Sequence, residues 1–267
     1  MMSTPTSDRS SSSGNAGERV LSVGIVGYGK LGQYLAHEIV RHGAGACGLR
    51  LGFVWNRTAA TVENDPIAQP YLLRELADFA SVQVDLIIEV AHPSITIEFG
   101  ERFIRHCDLV IGSPTVFADA TIEATIRRAA REARHTCYVP SGALWGAVDL
   151  QKMADANTLG AVTITMKKEP VSLKLNGSVA AVNAAYIASD NTDEVVLYDG
   201  PVRDLCPMAP NNVNTMACAA LAAHSLGFDR VRARLCADKK LTAHVIEIDI
   251  RGVGTRSSRG MPSIKLR

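Results

Sequence analysis

The sequence predicts an α/β protein in two parts, a doubly wound parallel sheet followed by a smaller α+β domain. Three observations predict it. First, the apolar run from Val20 to Val26, the hexapeptide Gly27-Tyr28-Gly29-Lys30-Leu31-Gly32 and a stretch of helical periodicity follow one another directly, in the order strand, turn, helix. Second, short apolar runs then alternate with helical or mixed segments, the pattern of parallel strands joined by crossovers. Third, beyond about residue 144 the strand-like segments alternate apolar residues with Thr or charged ones, as in a half-exposed sheet.

The first strand is apolar at nearly every position, as a strand buried on both faces must be. In the turn behind it, Gly27 permits a tight reversal, Gly29 lets the backbone approach a pyrophosphate, and Gly32 lets the helix pack close to the strand. The helix that starts at Lys30 and Leu31 offers free N–H groups and the positive end of its dipole. Gly27, Gly29, Lys30, Leu31 and Gly32 are therefore the candidate cradle of a dinucleotide, in a Rossmann-type domain. Leu31, Leu35, Ile39 and Val40 give the helix its apolar spacing. Leu51 to Asn56, Asp85 to Val90 and Asp108 to Gly112 read as further strands. Asp119 to Arg134 reads as a helix with Ile122, Ile126 and Ala130 on one face, and Thr136 to Val139 as a short strand that completes the domain near residue 142.

In the second part, Val148 to Met153 reads as a short helix and Asn214 to Leu226 as an Ala-rich one. Ala161 to Met166, Glu194 to Tyr198, Val231 to Cys236 and His244 to Ile250 read as strands of an antiparallel or mixed sheet. The expected division is a disordered Ser/Thr-rich tail over 1–18, a nucleotide-binding domain over 19–142, an α+β catalytic domain over 143–250 and a basic tail over 251–267. No repeat of fixed period is present.

Bulk properties narrow the function. A net charge of +1 over 267 residues supplies no broad field to recruit nucleic acid or an anionic membrane. No run of about eighteen apolar residues predicts a membrane span, and the first eighteen residues lack a secretory h-region. The six cysteines are dispersed with no CxxC pair, which argues against a zinc ribbon or redox motif and for reduced, mostly buried thiols. A cytoplasmic protein with no metal is the expectation.

Two candidate contacts follow from position. Asn56 and Arg57 end the second strand, where an acid would bind the ribose 2′-hydroxyl and exclude a 2′-phosphate. With no acid there, Arg57 either pairs with the 2′-phosphate of NADP or is an exposed loop arginine, and Asn56 accepts either coenzyme. Glu89-Val90-Ala91-His92-Pro93 follows a buried strand, at the carboxyl edge where ligands collect in such sheets. Ala91 and His92 are candidate coenzyme contacts there, His92 either hydrogen-bonding the nicotinamide ribose or capping its loop. Ser113-Pro114-Thr115 holds the equivalent edge of the next strand.

These motifs, with Ser141-Gly142-Ala143-Leu144-Trp145-Gly146, Ala209-Pro210-Asn211-Asn212-Val213-Asn214-Thr215-Met216-Ala217, Gly227-Phe228-Asp229 and Ala237-Asp238, resemble those of the L-aspartate dehydrogenase family, from about Val20 to Ile250. The resemblance implies NAD- or NADP-dependent oxidation of L-aspartate to iminoaspartate, which hydrolyses to oxaloacetate and ammonia, or the reverse amination, by a homodimer. It further implies that Ala143 and Asn214 contact the coenzyme and that His244 is catalytic. A substrate with two carboxylates asks for cations, and Lys167, Lys168 and Arg203 are the candidates; Asn211 and Asn212 either line the site or cap the Ala-rich helix. Two departures stand out. The family's His-Glu-Ile is replaced by His244-Val245-Ile246-Glu247, and the basic ending differs from the strand and helix expected there. The latter leaves open a catalytically silent NAD(P)H-binding protein with a regulatory or interaction role.

Overall fold

The computed structural model describes residues 19–253 and 263–266. The tail read over 1–18 and residues 254–262 and 267 of the basic tail lie outside the described residues. The first domain runs β1 (Leu21–Val26), α1 (Lys30–Cys47), β2 (Leu49–Trp55), α2 (Ala60–Glu63), β3 (Leu86–Glu89), α3 (Pro93–His106), β4 (Asp108–Ile111), α4 (Ala120–Ala133) and β5 (Cys137–Tyr138). Its five strands form one parallel sheet in the order β2-β1-β3-β4-β5. The chain leaves β1 toward one side and returns to the other, so a crevice opens between β1 and β3 at their carboxyl ends. Val26 lies opposite Glu89 there.

Strand alternation assigns the two faces. Val23 and Ile25 pack with Ala36 and Ile39 of α1, while Val26, Ile87, Leu109 and Ile111 pack with Phe99, Phe103 and Ile126 of α3 and α4. Two of the residues that marked α1 in the sequence are not in that seam, for Leu31 and Val40 are exposed. Capping fixes the other helix starts. His92, held extended ahead of Pro93, accepts the Ser94 N–H at the start of α3. Asp119 accepts the Thr121 and Ile122 N–H groups at the start of α4.

The second domain comprises α5 (Ala147–Asp155), β6 (Leu159–Lys168), α6 (Gly177–Ala188), β7 (Val195–Pro201), α7 (Val202–Leu205), α8 (Asn214–Ala222), α9 (Gly227–Arg230), β8 (Arg232–Ala237), β9 (Val245–Gly252) and β10 (Ser263–Leu266). Its sheet is mixed, in the order β10-β9-β6-β8-β7, with β6 and β8 parallel and the other pairs antiparallel. Within the stretch read as a basic tail, β9 extends to Gly252 and β10 adds an edge strand to it. Along β6, Val162, Ile164, Met166 and Lys168 are buried, whereas Thr163, Thr165 and Lys167 are half-buried on the opposite face. One apolar cluster runs without a break from β3 and β4 through Val116, Phe117, Leu144 and Met216 to Ile164 and Ile248. The two sheets thus share a core. All six cysteines are free, and Cys107, Cys206, Cys218 and Cys236 are buried. Among the described residues no helix is long and apolar enough to cross a membrane.

Candidate active site

The glycine turn has the shape that a dinucleotide requires. Gly27 adopts φ +108°, and a Cβ on it would sit 2.7 Å from the Ala91 nitrogen. A Cβ on Gly32 would sit 2.0 Å from the Gly27 carbonyl oxygen, so both positions are closed to any side chain. Gly29 has nothing within 4 Å of its would-be Cβ, and Gly29, Lys30 and Leu31 are exposed at the start of α1. The backbone is therefore closed beneath and open above, with room for phosphates over the helix N-terminus. Tyr28, between the first two glycines, is 2 % exposed and donates its hydroxyl to Asp65 at 2.8 Å, which also pairs with His37 at 2.6 Å. Burial tends to raise the Asp65 pKa, but the bonds from Tyr28 and His37 outweigh it and hold that carboxyl at about 2. The turn is anchored from below by this carboxylate.

Asn56 braces the same turn, for its Oδ1 accepts the Tyr28 N–H at 3.1 Å and its Nδ2 donates to the Thr58 carbonyl at 3.0 Å. Arg57 beside it is exposed and has no ion-pair or hydrogen-bond partner among the described residues. At the β3 edge, His92 Nδ1 accepts the Ser94 N–H at 3.2 Å. The capping role is thus the one seen. It also places the ring proton of the neutral form on Nε2. Ala91 is exposed and donates its N–H to Glu89 Oε1 at 2.8 Å.

Glu89, at the head of the Glu89–Pro93 motif, organises this edge. It is fully buried, and its Oε1 also accepts the Ser113 hydroxyl at 3.1 Å, so one carboxyl ties the loops after β3 and β4 together. Burial pushes its pKa up, against the pull of the Ala91 N–H and the Ser113 hydroxyl. An acid closing an otherwise apolar strand is the signal for it.

From this edge a chain of contacts leads into the second domain. Thr115 Oγ1 donates to the Pro210 carbonyl at 2.8 Å. Two residues on, the Asn212 carbonyl accepts from Lys168 Nζ at 3.3 Å, and Asn212 Nδ2 donates to the Lys174 carbonyl at 2.6 Å. Neither Asn211 nor Asn212 caps α8, whose N-cap is Val213 with no side-chain bond. Asn214, the first residue of α8, keeps a buried Oδ1 without a hydrogen-bond partner among the described residues. An orphaned acceptor on a helix packed against the segment after β4 suits an incoming amide N–H such as that of a nicotinamide carboxamide. Ala143 is exposed in the Ser141–Gly146 loop, which Leu144 anchors in the core and which Cys218 meets through the Pro140 carbonyl at 3.3 Å.

His244 directly precedes β9. The last pair of the β6–β9 ladder is Lys167 with Val245, so one step further out Lys168 and His244 stand abreast and share a sheet face. His244 is exposed; partial burial first, then the charge of Lys168, lowers its pKa from the usual histidine value. Glu247, in the displaced register, falls on the opposite face, where it lines a polar pocket with Thr165, Lys167, Glu194, Arg234 and Asp249. Of the three candidate cations, Lys167 pairs with Glu194 at 2.8 Å on that outer face. Arg203 grips both oxygens of Asp229 at 2.5 and 2.9 Å and reaches the Ala118 carbonyl. Both are consumed by structure, and the geometry leaves Lys168 beside His244.

Comparison with known proteins gives this arrangement a lineage. The family model for the C-terminal part of aspartate dehydrogenase matches residues 149–262, and that for the NAD-binding domain of homoserine dehydrogenase matches 27–140. An aspartate dehydrogenase domain-containing protein of Xenopus tropicalis is 47 % identical over 91 % of this chain and 84 % of its own length. The chain belongs to the aspartate dehydrogenase family. An L-aspartate dehydrogenase of Methanococcoides burtonii is 28 % identical over 87 % of this chain and 84 % of its own. The solved aspartate dehydrogenase of Thermotoga maritima superposes with a TM-score of 0.67 over 92 % of this chain and 89 % of that one, at 20 % identity, a match of fold. The family is one of oxidoreductases, and its nucleotide domain calls for a nicotinamide coenzyme.

Proposed function

We propose that this chain is an L-aspartate dehydrogenase, which oxidises L-aspartate with NAD or NADP to iminoaspartate, hydrolysed in turn to oxaloacetate and ammonia, or which runs the reverse amination. The observation that carries the reading is the pair of hydrogen bonds in series, Thr115 to Pro210 and Lys168 to Asn212, by which the carboxyl edge of the first sheet is held to the end of β6, abreast of His244. Gly27, Gly29, Lys30, Leu31 and Gly32 would hold the pyrophosphate, and Ala91, His92, Ala143 and Asn214 the nicotinamide half. A bound nicotinamide ring supplies the acceptor for the hydride from the substrate Cα. His244 takes the proton that the amino group releases and returns one during hydrolysis of the imine, a task suited to a histidine that is neutral near pH 7. The resemblance extends the proposal to a homodimer.

The test is reduction of NAD or NADP by purified full-length protein with L-aspartate at alkaline pH. Turnover supports the reading. Coenzyme binding without turnover of any dicarboxylic amino acid overturns it in favour of a silent binding protein. Coenzyme preference has its own test. An unpartnered, exposed Arg57 at the end of β2 suits a 2′-phosphate, so Arg57→Ala should weaken NADPH by about tenfold, the loss of one charge-assisted contact, and leave NADH unchanged. Equal NADPH affinity in a fluorescence titration would remove Arg57 from the site.

A further inference from the structure

A buried ammonium ordinarily has a carboxylate beside it, because leaving a charge unpaired away from water is costly. Lys168 has none. It ends the apolar stripe of Val162, Ile164 and Met166 on the inner face of β6 and is 7 % exposed. Its hydrogen-bond partner is a neutral carbonyl, that of Asn212 at 3.3 Å, which occupies one of three N–H donors. Burial lowers its pKa with no carboxylate opposing. Carboxylates are not scarce in this domain, for Glu194 and Asp229 are spent on Lys167 and Arg203. Of the three candidate cations, the one without a carboxylate among the described residues is the one abreast of His244, at the strand end joined to that edge.

We infer that Lys168 is the substrate's anion anchor, its two remaining N–H donors taking a carboxylate of a dicarboxylic amino acid beside His244. The inference borrows the name of the substrate from the proposed function, but the charge it describes stands without it. The same chemistry serves the α-carboxylate or the side-chain carboxylate. A monocarboxylic amide such as L-asparagine separates the two: loss of the lysine closes the gap in kcat/KM between L-aspartate and L-asparagine if the side-chain group is bound, and lowers both together if the α-group is.

The experiment is calorimetric titration of succinate into the full-length protein saturated with NADH. Lys168→Met continues the apolar stripe at nearly equal volume, so the fold should persist. Its Kd for succinate should rise by about a hundredfold, as when one partner of a buried charge pair is removed, while NADH affinity holds within about twofold. Lys168→Arg should retain succinate binding to within about tenfold. If the methionine variant fails to melt cooperatively, Lys168→Gln is to show the same loss. Unchanged succinate binding in the uncharged variant, or none to the parent protein, overturns the inference. Lysine-dependent succinate binding in a protein that does not turn over L-aspartate would overturn the proposed function and leave the anchor standing.

Discussion

Gly29→Ala is expected to raise the Kd for both NADH and NADPH by roughly a hundredfold while leaving the melting temperature nearly unchanged. The reasoning is steric. In the free protein a methyl group at this position meets nothing within 4 Å, and the residue stands just ahead of α1, its carbonyl accepting the Gln33 N–H, where alanine is poorer than glycine by under about 1 kcal/mol. With a pyrophosphate seated over the turn, the same methyl intrudes between backbone N–H groups and phosphate oxygens. Overpacking of that kind costs about 1–3 kcal/mol, up to roughly a hundredfold in affinity. Gly32→Ala should behave differently, since its Cβ would lie 2.0 Å from the Gly27 carbonyl, a contact that no rotamer relieves. The start of α1 must shift, so stability and coenzyme binding should fall together. For a chain of this size the loss corresponds to roughly 5–10 °C in Tm. Thermal melts and coenzyme titrations on the two variants check both halves. If Gly29→Ala binds coenzyme as well as the parent, phosphates do not approach over Gly29 and the cradle is structural.

The difference between the two glycines illustrates what the sequence carries and what it does not. The spacing from Gly27 to Gly32 is local, and so is its reading: strand, turn and helix follow from neighbouring residues. The parallel character of the first sheet was legible for the same reason, each buried strand being announced by its own apolar run. The cation of the site was not. Lys167 and Lys168 are adjacent, and only the inward alternation of Val162, Ile164 and Met166 tells which of them faces the core. Which ion pairs consume Lys167 and Arg203 depends on Glu194 and Asp229, each 26 or 27 residues away. The adjacency of Lys168 and His244 depends on the β6–β9 register, over a separation that no local period reports. Helix α6 passed unread because its apolar residues are spread around the axis rather than gathered in a stripe. The departure at His244-Val245-Ile246-Glu247 becomes intelligible once the strand is built, since alternation sends Glu247 to the far face and leaves the histidine with lysine as its charged neighbour.

That neighbour sets the second large effect. His244→Ala should lower kcat for L-aspartate oxidation by about a thousandfold, within the range for loss of a positioned acid–base group, with the Kd for NADH unchanged within about twofold because the cradle lies on the other sheet. The pH profile identifies the group. To accept the amine proton, His244 must be neutral, so oxidation is lost as pH falls through its pKa. Partial burial, and secondly the charge of Lys168, hold that pKa below the ordinary histidine value, so the acid limb of kcat/KM should lie below pH 6.5 in the free enzyme. In Lys168→Met the electrostatic part of the shift disappears and the part due to burial remains. The limb should therefore move up in pH without passing the ordinary value, and it should vanish in His244→Ala. A limb that stays in place in both variants would assign the titration, and with it the proton transfer, to another residue.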